Sequence, residues 1–289
     1  MRAAHVAQLK EPPRPVEIDD AAEPARDALE IVAVALNPLD LAVGGGAFYG
    51  GHPPLPYVPG CEAAARTADG RLVYLFGEGR GVGRDGFLAE RVAVPGDLPL
   101  ELPDGTDPAL AAAAGIAGIA AWVPVAWKAK VAPGDRVLVL GGTGSVGRLA
   151  AQAAELLGAE IVVAVGSKEL DRIPEQFGDD GFTVCIDPVW GEPLANALRY
   201  ARPHARIVHV GQSAGPESPL RSADVRGREL AIVGHSNFVL TKEERDRAYL
   251  ELLAHLTAGR IRLDYETFPL DEVAAAWEHQ RGGKSVVLM

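Results

Sequence analysis

The stretch Arg136-Val-Leu-Val-Leu-Gly-Gly-Thr-Gly-Ser-Val-Gly-Arg148 decides the fold of this chain. Val137 to Leu140 is a short apolar run of the kind a buried parallel strand needs, and Pro133-Gly134-Asp135 ahead of it is a turn signal. Gly142, Gly144 and Gly147 then follow in G-x-G-x-x-G spacing, and Arg148 to Leu157 reads as a helix that stops at Gly158. A second apolar run, Ile161 to Val165, arrives at the spacing of a strand–helix–strand unit. In that context each glycine has a physical task. Gly142 permits the tight turn, Gly144 lets a diphosphate reach the backbone, and Gly147 lets the helix lie close to the strand. Free N–H groups and the helix dipole then face the phosphates. The run Gly142, Thr143, Gly144, Ser145, Val146 and Gly147 is therefore read as a dinucleotide site.

The glycine pattern alone would not carry this. Gly81-Val-Gly-Arg-Asp-Gly86 satisfies it too, but a strand-like run follows and no helix opens there, so that copy is read as a plain turn. Context also separates two regions. Up to about residue 110 the chain has strand candidates at Leu29–Leu36, Arg71–Phe76 and Phe87–Val94, with prolines and glycines crowding the gaps. From Ala109 on, an alanine-rich run to Val125 reads as a buried helix, and strands then alternate with helices. The strands are Val184–Ile186, Arg206–Val210 and Leu230–Val233, and the helices Leu194–Ala201 and Lys242–Ala258. Such alternation predicts a doubly wound parallel sheet, an α/β class.

Composition limits the partners. The 289 residues carry a net charge of −11, which disfavours nucleic acid and anionic membrane surfaces. No apolar run is long enough to span a bilayer and no signal peptide is evident at the first residues. The two cysteines, Cys61 and Cys185, form no Cys-x-x-Cys pair, so neither a disulfide framework nor a four-cysteine zinc lobe is expected. A cytoplasmic location is the expectation.

The end of the second strand bears on the choice of dinucleotide. An acidic residue there would hold the ribose 2′-hydroxyl of NAD. The strand instead runs into Gly166, Ser167 and Lys168, with Glu169 beside the lysine and Arg172 a weaker candidate. A hydroxyl and an ammonium suit a 2′-phosphate, which favours NADP(H) over NAD(H). Further on, Gly211, Gln212 and Ser213 close the strand Arg206–Val210 and are placed to bond the nicotinamide carboxamide through the backbone.

At this point the chain resembles the medium-chain dehydrogenase/reductase superfamily, in its zinc-independent quinone oxidoreductase branch. The resemblance rests on Asn37-Pro-Leu-Asp40, Tyr57-Val-Pro-Gly-Cys-Glu62, Ala89-Glu90, Val92 to Pro95, Ala117 to Trp122 and Val131 to Asp135. Gly142 to Gly147, Gly211-Gln-Ser213, Phe268 to Val273 and the closing Gly283-Lys-Ser-Val-Val-Leu288 continue it. It implies a GroES-like, mostly-β catalytic domain made of residues 1–117 and 257–289, around a Rossmann dinucleotide-binding domain at 118–256. Zinc members have a cysteine where Asn37 stands and a histidine where Cys61 stands, before the glutamate matched by Glu62. The implied enzyme therefore needs no zinc. Asn37 matches a cleft position of the family, where its amide is implied to bond cofactor or substrate, and Tyr49 falls near the family's tyrosine in the loop that follows, where it is implied to stabilise an enolate oxygen or deliver a proton. Asn37 as a cap and Tyr49 as a packed ring are the structural alternatives, and His52 reads as a loop residue. Two departures, the short Ala63–Gly70 and the glycine-rich Gly77–Gly86, trim the catalytic part and not the cofactor part.

The implied reaction is hydride transfer from NADPH to a small electrophile, a quinone or activated enone, in a homodimer. An enoyl-thioester reductase on the same scaffold, or a redox sensor that binds NADPH without turnover, remain open alternatives.

Overall fold

The computed structural model describes residues 1–19, 28–166 and 168–289. The chain forms two compact units, Met1–Ile116 with Asp264–Met289, and Ala117–Leu263. The chain thus returns to the first unit at Asp264, seven residues later than the boundary read from the sequence.

The first unit begins with a hairpin of β1 (Arg2–His5) and β2 (Arg14–Glu17). Then come β3 (Ala28–Ala35), α1 (Pro38–Gly44), β4 (Glu62–Arg66), β5 (Leu72–Phe76), β6 (Arg91–Ala93), β7 (Leu100–Glu101) and α2 (Pro108–Ala113). After the second unit the chain adds β13 (Glu266–Pro269), α9 (Val273–His279) and β14 (Ser285–Leu288). The sheet order is β13-β14-β3-β4-β5-β7, with β6 also on β3. β3 starts with the alternation of a half-buried strand, Leu29 and Ile31 inward and Glu30 outward, and is almost wholly buried from Ala33. Its antiparallel partner β14 sets Val286 opposite Ala35 and Leu288 opposite Ala33. The last residues of the chain therefore complete a sheet begun near residue 28, as the discontinuous domain requires.

Two sequence expectations are corrected here. Of Phe87–Val94 only Arg91–Ala93 is strand. Phe87 and Leu88 instead donate to the carbonyls of Gly60 and Pro59, and the chain squeezes past them at Gly86, where a Cβ would lie 2.4 Å from the Gly60 oxygen. The Ala109–Val125 run is also no single helix. It breaks at Gly115, where a Cβ would meet the Glu62 carboxylate and the Tyr74 hydroxyl. Beyond it lie α3 (Ile116–Trp122) and a π-helical turn, Val123–Lys128, that contains Pro124. The Gly81–Gly86 copy of the glycine pattern is a turn, closed by Gly81 N–H on the Arg84 carbonyl.

The second unit holds β8 (Arg136–Leu140), α4 (Ser145–Leu156), β9 (Ile161–Val165), α5 (Arg172–Phe177), β10 (Phe182–Asp187) and α6 (Gly191–Ala197). These are followed by β11 (Ala201–His209), α7 (Ser222–Arg226), β12 (Ala231–Gly234) and α8 (Lys242–Thr257). Residues 198–201, expected to continue a helix, form a 3-10 turn and the start of β11. α8 starts at Thr241, whose hydroxyl accepts from Glu244 N–H while the Glu244 carboxylate accepts from Thr241 N–H. No helix among the described residues is long and apolar enough to cross a membrane.

The five strands are all parallel, in the order β12-β11-β10-β8-β9. This is the doubly wound order with its third strand missing. The second unit is therefore shortened as well, contrary to the sequence reading that confined the losses to the catalytic part. The short link from β9 to β10 is tied down by Arg136, a buried cation on β8. Its Nη2 donates to the Phe177 carbonyl at 2.7 Å and its Nε to the Gly181 carbonyl at 2.9 Å. Those two carbonyls would otherwise be left without these donors in a poorly hydrated place. Arg136→Met keeps the length and removes both bonds. It is expected to lower the unfolding free energy by roughly 3 kcal/mol in a denaturant titration, and a loss below about 0.5 kcal/mol would contradict this role.

Candidate active site

The glycine turn is built on a close approach. Gly141 has φ +65° and Gly142 N–H donates to the Val165 carbonyl at 2.9 Å, which ties the end of β8 to the end of β9. A Cβ on Gly142 would stand 2.7 Å from the Ala164 Cβ, and one on Gly147 would stand 2.2 Å from the Gly141 oxygen. The left-handed turn thus falls at Gly141 and not at Gly142, whose missing side chain admits the neighbouring strand. Gly144 differs from both: the nearest atom to its Cβ would be 3.6 Å away. No packing explains a glycine there, and open space for an incoming group does. Gly144 is the N-cap of α4 and no side chain caps that helix. Thr143 and Gly144 are exposed, or nearly so, and Ser145 and Val146 are half-buried. The backbone N–H groups and positive dipole end of a three-turn helix therefore face this gap, an arrangement that fits a diphosphate.

At the end of β9, Gly166 is half-buried, Lys168 is exposed, and Ser167 lies outside the described residues. A carboxylate does stand here: Glu169 Oε2 accepts from Gly166 N–H at 2.8 Å, and its other oxygen is 3.7 Å from an Arg172 guanidinium nitrogen. The strand's own last residue is not acidic, but the turn folds an acid back onto it. Lys168, Arg172 and Glu169 are thus the charged groups that would meet a 2′-substituent.

β10 and β11 end side by side, with Asp187 paired to His209. Asp187 is fully buried, and its Oδ1 accepts from Val189 N–H and Trp190 N–H, both at 2.9 Å. Its Oδ2 lies 3.4 Å from His209 Nδ1. Trp190 has φ 60° and ψ −160°, a backbone region essentially reserved for glycine and costing about 1–3 kcal/mol for other residues. Its ring centroid is 4.2 Å from that of His209. Gly211 passes close to the Pro188 carbonyl, where a Cβ would lie 2.9 Å away, while Gln212 and Ser213 are exposed. None of Asp187, Trp190 and His209 was singled out from the sequence, because a tryptophan in a turn carries no pattern of its own.

In the first unit, Asn37 is 1% exposed and its amide is fully engaged. Nδ2 donates to Glu62 Oε1 at 2.8 Å and Oδ1 accepts from Lys284 Nζ at 2.8 Å. Lys284 Nζ also donates to the Leu36 carbonyl at 3.0 Å and lies 3.3 Å from Glu62 Oε1. Glu62 Oε2 accepts from the Tyr74 hydroxyl at 2.9 Å and from Ile116 N–H at 2.5 Å. Beside this cluster Asp40 accepts from Asn37 N–H at 2.8 Å and Gly60 N–H at 3.2 Å, and burial pushes its carboxyl up to about 6. Burial, then Asp40, push the Cys61 thiol well above its ordinary range. The sequence expectation that Asn37 offers its amide to cofactor or substrate is corrected: that amide is turned inward and saturated. Tyr49 is 87% exposed with its ring against Phe48, so the structure does not unite it with the sealed Asn37. His52 is exposed and bonds the carbonyl of its own neighbour, Pro53.

Glu62 and Lys284 are both sealed from water, so removing one charge strands the other. Lys284→Met is expected to cost about 3–5 kcal/mol in denaturant unfolding, and adding Glu62→Gln should recover part of it. Strictly additive losses in the double variant would contradict the coupling.

Comparison with known proteins agrees with this architecture. A family model described as zinc-binding dehydrogenase matches residues 157–286. The quinone oxidoreductase of Lama guanicoe is 28% identical over 325 aligned positions, covering 100% of this chain and 98% of that protein. The quinone oxidoreductase of Thermus thermophilus, solved alone and with NADPH, superposes with a TM-score of 0.83 at 26% identity over the full length of both chains. An NAD-dependent alcohol dehydrogenase shares the fold at a TM-score of 0.84 and 23% identity, again over both full chains. The fold, the order of the motifs and these relatives make the chain similar to the quinone oxidoreductases of the medium-chain dehydrogenase/reductase superfamily, and support an oxidoreductase.

Proposed function

We propose that this protein is an NADPH-dependent reductase that passes hydride to a quinone or an activated enone without zinc. The observation that carries the reading is the gap beside Gly144, a glycine that nothing in the protein needs for packing, at the uncapped start of α4. The first-turn N–H groups would bind the diphosphate, and Lys168 with Arg172 would attract a 2′-phosphate. Glu169 opposes that preference, and its ion pair with Arg172 partly offsets its charge. NADPH is the nucleotide bound by the Thermus thermophilus relative, which supports the same choice. When bound, the nicotinamide supplies the hydride. The Gly211–Ser213 backbone would orient the carboxamide.

The zinc-free part rests on the donor set in the first unit. The amide of Asn37 stands where a zinc-binding relative has a thiolate, and it bonds directly to the Lys284 ammonium. The Cys61 thiol is buried, and burial and then Asp40 raise its pKa well above the ordinary range. These residues do not fit a catalytic zinc, which leaves electrophiles that need little Lewis-acid help. Quinones and activated enones are such acceptors. A second copy would pair along β12, one of the two outer strands of the sheet, where Val233 is 45% exposed.

Loss of NADPH absorbance with a panel of quinones, enones and enoyl thioesters, each with and without EDTA, tests this reading. Turnover of a quinone or enone, unchanged by EDTA, is expected. Turnover of enoyl thioesters alone would select the acyl-reductase alternative. Tight NADPH binding with no turnover on any acceptor would contradict the enzyme reading and favour the sensor.

A further inference from the structure

The chain between β10 and α6 must turn with a positive φ at two successive residues, 190 and 191. The second is glycine. The first is tryptophan, in backbone that glycine alone adopts freely. The turn around it is fixed from several directions. Asp187 holds the N–H groups of Val189 and Trp190. Ala214 N–H donates to the Val189 carbonyl at 2.9 Å, and the Ser218 hydroxyl donates to the Gly191 carbonyl at 2.7 Å. On the other flank Gly141 leaves room for the turn, since a Cβ there would lie 2.9 Å from a Val189 methyl. Trp190 is thereby clamped between the glycine turn and the segment that follows β11, both at the carboxyl end of the parallel sheet, where such sheets take their ligands.

Its ring is half-buried and lies against His209, 4.2 Å between centroids and tilted by 40°. His209 is itself held by Asp187 through Nδ1. A strained residue survives when it supplies something the unstrained one lacks. Glycine would close this turn without strain, and what it lacks is an aromatic ring, part of which packs on the apolar core of the second unit.

We propose that Trp190, backed by His209 and oriented by Asp187, is a stacking wall for a planar ring of the bound dinucleotide, adenine or nicotinamide. Aromatic side chains bind such rings through their π faces, whatever the hydrogen-bonding pattern of the ring. The proposal rests on the dinucleotide reading above and adds a contact that the glycine turn does not provide. His209 is a positioning residue here: it limits the tilt of the indole and makes no step of the reaction.

The test is calorimetric binding of NADPH, 2′,5′-ADP and nicotinamide mononucleotide to the full chain, with Trp190→Gly and Trp190→Phe beside it, together with thermal unfolding of each. Trp190→Gly is expected to bind NADPH about 5- to 150-fold more weakly, the range that follows from the loss of one stacked ring. Trp190→Phe should keep most of the affinity. The fragment whose affinity falls in parallel names the ring that stacks. The melting temperature of Trp190→Gly should stay close to that of the native protein, because relief of the strain offsets the packing lost with the ring. Unchanged NADPH affinity in Trp190→Gly, with earlier unfolding, would overturn the proposal and make the ring a core filler. Should Trp190→Gly lose both affinity and stability, equal loss of affinity in Trp190→Phe would also overturn it, while retained affinity would support it. A native protein that binds no NADPH would remove the dinucleotide reading itself.

Discussion

The carboxyl end of the parallel sheet depends on how closely α4 lies against the end of β8. A single Cβ at Gly147 would drive into the Gly141 carbonyl at 2.2 Å, so the helix can start where it does only without one. That close start aims the first-turn N–H groups over the strand end. It also leaves the gap beside Gly144 open. The same economy continues outward: Gly142 admits Ala164, Gly141 admits Val189, and Gly211 admits Pro188. These missing side chains bring the ends of β9, β10 and β11 around one point, which is what a ligand spanning several strands requires.

The first unit solves a different problem. Four stretches far apart in sequence, around Asn37, Glu62, Tyr74 and Lys284, meet through buried polar groups. Burying a carboxylate and an ammonium is unfavourable unless their lone pairs and protons are used. Here both Glu62 and Lys284 bond to backbone as well as to side chains. The cluster therefore works as a fastener that carries β14, the last strand, onto β3, the first long one.

Much of this was legible in the residues, for identifiable reasons. The strand–turn–helix around Gly142 was readable because a strand, the glycine spacing and a helix follow one another there, and the decoy at Gly81 lacked the helix. The glycine roles were less legible: the left-handed turn sits at Gly141, one residue before the motif, because the motif records spacing and not backbone angles. Glu169 reaches back three residues to Gly166, just past the end of β9, which a rule about the strand's last residue does not see. Asn37 matched a cleft position, yet whether its amide faces a ligand or the interior depends on Glu62 and Lys284, 25 and 247 residues away. The missing third strand was hidden because the α5 segment looks like any crossover helix. Trp190 left no trace at all, since strain is a property of conformation.

The central claim is that the start of α4, opened by Gly144, is where a dinucleotide diphosphate binds. A crystal structure of the protein with NADPH tests it most directly. The account predicts diphosphate oxygens within hydrogen-bonding distance of the N–H groups of Ser145 and Val146, above the bare Gly144 Cα. A diphosphate bound elsewhere on the chain, with this gap holding only solvent, would contradict it.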